Sequence, residues 1–297
     1  MQLLILKFII MIIELNKAFS NICFSSKNHT YFTKDGEELI SVTKLINRLK
    51  SPFNSKYWST IKAYEHSGYE TKQIWVKGGF DTNKFHANKE VVYLDSDHSH
   101  LKITPDDMLY QWSIDSLVGT TRGSYAHLLL ENLENRILDK PEVIIPAGLD
   151  TFQTINYAKS INIVNKLCEQ YLEEYNYLIP IAIEYKVGDV EMGIAGTLDR
   201  LYFNELTNAI EVWDFKTDKK IATSNKYQVI RLFNIDECEL SKYSIQTSFY
   251  KRIIEKNTNL KLGQSNIIHL NIRNESLDRY VCDDFTETIA NIDWRKI

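Results

Sequence analysis

The chain has 297 residues, 44% hydrophobic and 25% charged, and its 39 acidic and 35 basic side chains give a formal net charge of -4. That length buries a sizeable core as one large domain or two modest ones. The acidic balance excludes a globally basic polyanion binder, so any polyanion needs a local basic groove. Cys23, Cys168, Cys238 and Cys282 form no Cys-x-x-Cys pair, which argues against a zinc ribbon or a disulfide framework and predicts a reducing, cytoplasmic setting.

In chain order, the opening "MQLLILKFIIMIIEL" is strongly apolar. It is too short to span a bilayer, is interrupted by Lys7, and lacks a basic leader or a small-residue cleavage site. Residues 1–23 are expected to form a buried first element, or an extension upstream of a chain starting at Met11, with no membrane role. "ICFSSKNHTYFTKDGEELISVTKLINRL" predicts a hairpin turning at Asp35-Gly36, then a short helix capped near Ser41 or Thr43. Residues 52–76 read as helical pieces and residues 77–105 as a polar, irregular insertion. Two helices follow, "DSLVGTTRGSYAHLLLENLENRILDK" and the amphipathic "TFQTINYAKSINIVNKLCEQYLEEYNY". "IPIAIEYKVGD", "GIAGTLDRLYF" and "AIEVWDFKT" alternate as strands, before a helix at "SKYSIQTSFYKRIIEK" and a last strand at "SNIIHLNIRN". The fold class is α/β (α+β), a mixed central sheet flanked by helices. The expected organisation is a single domain over 24–297 with the insertion near 77–105.

The polar turn "NELTNA" folds strands 194–203 and 210–217 into a hairpin that sets Asp199 opposite Asp214. Directly opposed residues have Cβ atoms about 5 Å apart, so two carboxylates there repel unless a cation lies between them. Asp214 and Lys216 share a face while Phe215 turns into the core. The alternative is an exposed ion pair worth under about 1 kcal/mol with Asp199 at a frayed edge. His127 and Glu131 are four apart on one helix face, flanking an apolar stripe of Ala126, Leu129, Leu130, Leu133 and Ile137. Read alone, His127 is a structural histidine and Glu131 a solvated charge. Gln246 and Tyr250 also share a face, as a half-buried amide and a core-edge aromatic.

Asp199 and then Asp214-Phe215-Lys216, with "GTTRGSYAHLLLENL" (Gly123, His127, Glu131) upstream and "YSIQTSFY" (Gln246, Tyr250) downstream, resemble the PD-(D/E)XK nuclease superfamily and its RecB-like, phage-type exonuclease branch. "ELISVTKLINRLKSPFNSKYW" resembles the opening segment of many phage-type members, so the resemblance runs over about residues 24–273 with 77–105 unmatched. It implies a restriction-endonuclease-like core and a metal-dependent deoxyribonuclease of recombination, repair or phage DNA metabolism, in a bacterial or infected-cell interior. An endonuclease of restriction or junction-resolving type, or a non-catalytic DNA-binding protein on the same fold, is the alternative.

By the same resemblance His127, Asp199, Asp214 and the Phe215 carbonyl hold Mg²⁺ or Mn²⁺. Glu131 is a helper carboxylate, Lys216 acts on the phosphate and water, and Gln246 and Tyr250 bind DNA or orient Lys216. Hard oxygens with one imidazole suit those ions, and Glu184 is a further acidic candidate. The scattered cysteines depart from the iron–sulfur pattern of some relatives, so no cluster is expected. Lys219, Lys220, Lys226 and Arg231 form a local basic run suited to DNA, as ends or single strands. Trp58, Trp75, Trp112 and Tyr125 are candidates for base stacking. Implied protein partners are a helicase or a single-strand-binding or annealing protein.

Overall fold

The computed structural model describes residues 2–138, 140–144 and 155–297. The first elements are α1 (Gln2–Phe19), β1 (Ile22–Ser25), β2 (Thr30–Thr33), β3 (Glu38–Ser41), α2 (Val42–Leu49) and α3 (Ser55–His66). Next come β4 (Thr71–Val76), β5 (Gly79–Ala87), β6 (Glu90–Tyr93), α4 (Pro105–Ile137) and α5 (Ile155–Glu174). The chain continues through β7 (Leu178–Asp189), β8 (Ile194–Asn204), β9 (Ala209–Lys216), β10 (Val229–Ile230) and β11 (Ile235–Asp236). It closes with α6 (Glu239–Asn257), β12 (Leu262–Asn271), β13 (Ser276–Val281) and α7 (Thr286–Ala290). Two compact units result, one from Ser51 to Thr121 and one from Met1–Lys50 with Arg122–Ile297.

The larger unit is built on a mixed sheet in the order β1-β2-β3-β8-β9-β12-β13, with β7 also paired to β8. Strand β8 organises it. One edge of β8 pairs antiparallel with β7 along its length. The other edge is divided: Ile194 and Ala195 pair with β3 in parallel, while Arg200 to Asn204 pair antiparallel with β9. Between these two pairings lie Gly196 to Asp199, where the neighbouring strands diverge. Strands β9 and β12 are parallel, so the chain crosses over through α6.

Local sequence accounts for these elements. Gly36 takes the positive φ of +89° that the β2–β3 turn needs, and Ser41 caps α2 by accepting from the Lys44 N–H at 3.1 Å. On α6, Ile245, Phe249 and Ile253 repeat every four residues and are fully buried. From α5, Tyr171 meets Phe215 edge-on at 4.9 Å. Thus β9 turns Trp213 and Phe215 to one side and Asp214 and Lys216 to the other, as period-two alternation requires.

Several expectations need correction. The segment 77–105 is not irregular: it carries β5 and β6, which join β4 in a three-stranded antiparallel sheet. The helical reading of 52–76 holds only for α3, since Thr71–Val76 pairs as a strand. Tyr57, Tyr64 and Phe85 give the Ser51–Thr121 unit a buried core of its own. Strand β13 was not expected; it alternates only weakly and lies at the sheet edge.

The apolar opening is a helix. Met11, Leu15 and Phe19 turn inward, while Leu6, Ile9, Ile10 and Ile13 are exposed. No described helix is long and apolar enough to cross a membrane.

Phe85 is fully buried and makes ring contacts with Tyr57 and Tyr64. Phe85→Ala should therefore destabilise by about 3–5 kcal/mol, and hydrogen exchange should show the loss of protection concentrated in Ser51–Thr121.

Candidate metal centre

The β8–β9 register sets Arg200 against Trp213 and Leu201 against Val212. The next rung therefore places Asp199 opposite Asp214, as the hairpin reading expects. Here the ladder opens, and Asp199 Oδ2 accepts from the Phe215 N–H at 2.8 Å. A side chain thus takes the place of a backbone rung and carries a carboxylate into the gap between β3 and β9.

Asp214 is 1% exposed. Its Oδ1 has no hydrogen-bond partner among the described residues, and its Oδ2 lies in ion contact with Lys216. Burial, then the facing Asp199, push the Asp214 carboxyl up to about 6 against the pull of Lys216. Burial works to lower the Lys216 ammonium, but Asp214 and Asp199 outweigh it and hold it above its ordinary value. The Lys216 ammonium also lies 4.8 Å from the Tyr243 ring centroid.

His127 reaches this point from α4. The Arg122 guanidinium donates to the Thr217 carbonyl at 2.7 Å, and Gly123 lies against Thr217, where a Cβ would stand 3.4 Å from its Oγ1. These contacts fix the helix against the end of β9, one turn before His127. His127 Nδ1 is 3.2 Å from Glu184 Oε1 and 3.5 Å from Asp199 Oδ2, and its Nε2 is 3.2 Å from the Phe215 carbonyl. Burial lowers its affinity for a proton, but Asp199 and Glu184 more than reverse this and raise it to about 9. At neutral pH both ring nitrogens therefore donate, so the imidazolium is the cation between the carboxylates.

Glu184 comes from β7, with φ of +46° in the left-handed region. For a non-glycine strand residue this is strained backbone, costing on the order of 1–3 kcal/mol. It aims the carboxylate into the cluster.

Behind Glu184 stands Arg200, fully buried. The guanidinium donates to Glu184 Oε1 at 3.0 Å, to the Asp199 carbonyl at 2.7 Å, and to Glu134. Glu134 in turn accepts from the Tyr202 hydroxyl. Burial alone would raise the Glu184 carboxyl, yet His127 and Arg200 bring it below its ordinary value.

On α6, Gln246 donates to the Tyr250 hydroxyl at 3.2 Å. The Tyr250 ring sits so close to β8 that a Cβ at Gly196 would lie 2.6 Å from it; glycine is required at that crossing.

The structure thus brings His127, Glu184 and Asp199 together, with ligand atoms all within 4.8 Å of one another. The Phe215 carbonyl and the Asp214–Lys216 pair adjoin them. Glu131 is half-buried and makes no hydrogen bond or ion pair among the described residues; burial and then Glu184 raise its carboxyl. The buried side of α4 departs from the expected apolar stripe: Ile137 is 66% exposed, while Asn132, Glu134 and Asn135 are buried. Glu134 is turned inward by Arg200 and Tyr202. Asn132 is turned inward by the Val143 backbone, to which it both donates and accepts.

Lys219, Lys220, Lys226 and Arg231 are all exposed, but only Lys219 and Lys220 line the groove beside Gln246. Tyr125 is buried and donates to Asn165 at 2.7 Å, so it is a core residue rather than a stacking platform. Sequence reasoning missed Glu134, Arg200 and Tyr202. No spacing rule marks them, although an Arg following Asp199 in a strand buried on both sides is a charge that needs a partner.

No known protein-family profile matches the chain. No curated protein matches it either.

The donor set fits a hard divalent cation: carboxylate oxygens, one imidazole, one backbone carbonyl and the buried, partnerless Asp214 Oδ1. Binding such an ion would require His127 to release a proton.

The pH dependence follows from the raised proton affinities. His127, held near 9 against an ordinary 6.5, contributes stability that is complete below pH 6.5 and lost as pH rises through 9. Asp214, near 6 against 3.8, acts with the same sign over that lower window. Melting in EDTA should show Tm falling as pH rises from 6.5 through 9, and His127→Gln should flatten that fall. The Tm gain from Mn²⁺ should grow with pH in wild type.

Arg200→Met should leave Glu134 buried and uncompensated and cost about 3–5 kcal/mol in urea unfolding. A loss below about 1 kcal/mol would mean that the ion pair does not hold the site.

Proposed function

We propose that this chain is a divalent-metal-dependent nuclease that hydrolyses phosphodiester bonds in DNA, of the PD-(D/E)XK superfamily and its RecB-like exonuclease branch. The observation that carries the reading is the convergence of His127, Glu184, Asp199 and the Phe215 carbonyl beside a buried Asp214–Lys216 pair. Four elements, α4, β7, β8 and β9, supply these groups.

In this reading Glu184, Asp199, His127 and the Phe215 carbonyl hold Mg²⁺ or Mn²⁺, with Asp214 Oδ1 available as a further ligand. The ion, when bound, supplies Lewis-acid activation of the phosphate and of the attacking water. Lys216 donates but cannot accept, so it orients the water and offsets the negative charge that builds on the phosphorane-like transition state. Asp214 holds Lys216 in place. Arg200, anchored by Glu134, keeps Glu184 turned into the cluster. Gln246 fixes the Tyr250 hydroxyl, and this pair on one helix supports the exonuclease branch.

The test is purified protein with end-labelled linear and covalently closed circular DNA, in Mg²⁺, Mn²⁺ or EDTA. Metal-dependent digestion of linear DNA with circles spared is expected. Asp199→Asn should abolish both cleavage and the Mn²⁺-induced rise in Tm. Lys216→Ala should lower kcat by about 10²–10³ while keeping metal binding. Nicking of circles would assign an endonuclease, and metal-independent binding without cleavage would assign a non-catalytic DNA-binding protein.

A further inference from the structure

A groove of about 480 Å³ opens beside the candidate centre. Thr43, Ile46, Asn47 and Lys50 line one wall, at the spacing of a single face of α2 and its C-terminal cap. Lys242, Tyr243 and Gln246 come from one face of α6 opposite. Tyr243 and Gln246 connect the groove to the centre, since the Tyr243 ring lies under Lys216 and Gln246 holds Tyr250.

The lining of this groove carries more ammonium than carboxylate groups. Lys50, Lys219, Lys220 and Lys242 line it together with Asp218 and Glu239. Both carboxylates are engaged within the fold: Asp218 accepts from the Tyr243 hydroxyl, and Glu239 accepts from the Ala222 N–H at 3.3 Å and pairs with Lys242 at 3.5 Å. The Lys50 ammonium donates to the neutral Asn47 amide at 2.5 Å and makes no ion pair among the described residues. Burial, then Lys242, lower its proton affinity against the opposing pull of Glu237 and Glu239, so the Lys50 and Lys242 ammonium groups face one space and Lys50 has no carboxylate in direct contact. An anion there relieves both the lost solvation and the repulsion.

We propose that this groove is a phosphate-binding track, in which Lys50 and Lys242 take backbone phosphates of the nucleic-acid strand next to the scissile bond. The proposal rests on the nuclease reading, and it adds two residues from separate helices to the basic run that follows β9. Recognition is through phosphate charge, so it is independent of base sequence and weakens with salt.

The test compares wild type, Lys50→Gln and the double variant Lys50→Gln/Lys242→Gln, each first matched to wild type by circular dichroism. Anisotropy of labelled single strands in EDTA over a series of KCl concentrations reads the number of phosphate contacts. Each lost contact should reduce the slope of log K against log salt by about 0.7, or about 1.4 for the double variant. KM for an oligonucleotide should rise while hydrolysis of bis(p-nitrophenyl) phosphate, which has no neighbouring phosphate, stays unchanged. Strands with and without a 5′-phosphate locate the contact: a loss confined to the phosphorylated strand assigns the terminal phosphate, and an equal loss on both assigns internal ones.

If wild type cleaves but the double variant keeps the wild-type slope and KM, the track is wrong and the nuclease reading stands. If wild type binds strands with the expected change in slope but cleaves no phosphodiester, the nuclease reading falls and the track stands. Absence of any strand binding by wild type overturns both.

Discussion

Two carboxylates on facing rungs of a hairpin repel each other, and the surroundings of Asp199 and Asp214 are organised around that repulsion. Asp199 spends one oxygen on the Phe215 N–H, which draws its charge toward β9. Asp214 is balanced by Lys216 from two residues along the same strand face. His127, carried in by α4, holds a proton between the remaining acceptors. Each device supplies positive character at a point where a sheet interior has none, and burial makes the compensation more important because the local dielectric is low. A divalent cation bound at this point would have to displace that proton.

A second layer keeps the first in place. Arg200 is fully enclosed, and enclosing a guanidinium is costly unless its charge is paired. Glu134 takes the Nε donor and Glu184 and the Asp199 carbonyl take Nη1, while Nη2 has no partner among the described residues. The side chain thus ties three elements together directly behind the acidic cluster, and the left-handed backbone at Glu184 is held against its own preference by that tie.

Much of this was legible in the sequence because the relevant constraints are local. The β8–β9 hairpin follows from two alternating runs and a polar turn, and it fixes which carboxylates face each other. The cap at Ser41, the turn at Gly36 and the helices carrying His127 and Gln246 follow from equally short patterns. What was not legible depends on contacts distant in sequence. Glu134 looks like any surface glutamate until Arg200 is placed beside it, and Ile137 looks like core until that pairing turns α4. Residues 77–105 are polar because their strands belong to a small sheet with one wet side, and polarity alone reads as loop. Lys50, at the C-terminal cap of α2, and Lys242, on α6, are ordinary lysines in the sequence, and that they line one groove emerges only from the fold.

The divided edge of β8 also bears on how the chain folds. Its β9 side closes through a short turn, whereas its β3 side joins Ile40 and Ser41 to Ile194 and Ala195 across most of the chain. Contacts of such long sequence separation form slowly, because closure entropy must be met before the contact stabilises anything. The hairpin bearing Asp199 and Asp214 can therefore form early, while the β3 side of the sheet is completed late. The whole Ser51–Thr121 unit lies within that long closure. Since closure cost rises only by about 0.6 kcal/mol for each doubling of loop length, the centre is nearly indifferent to how much chain is inserted there. The insertion point between Lys50 and Arg122, rather than the segments that carry His127 and Glu184, is where added chain costs this closure least.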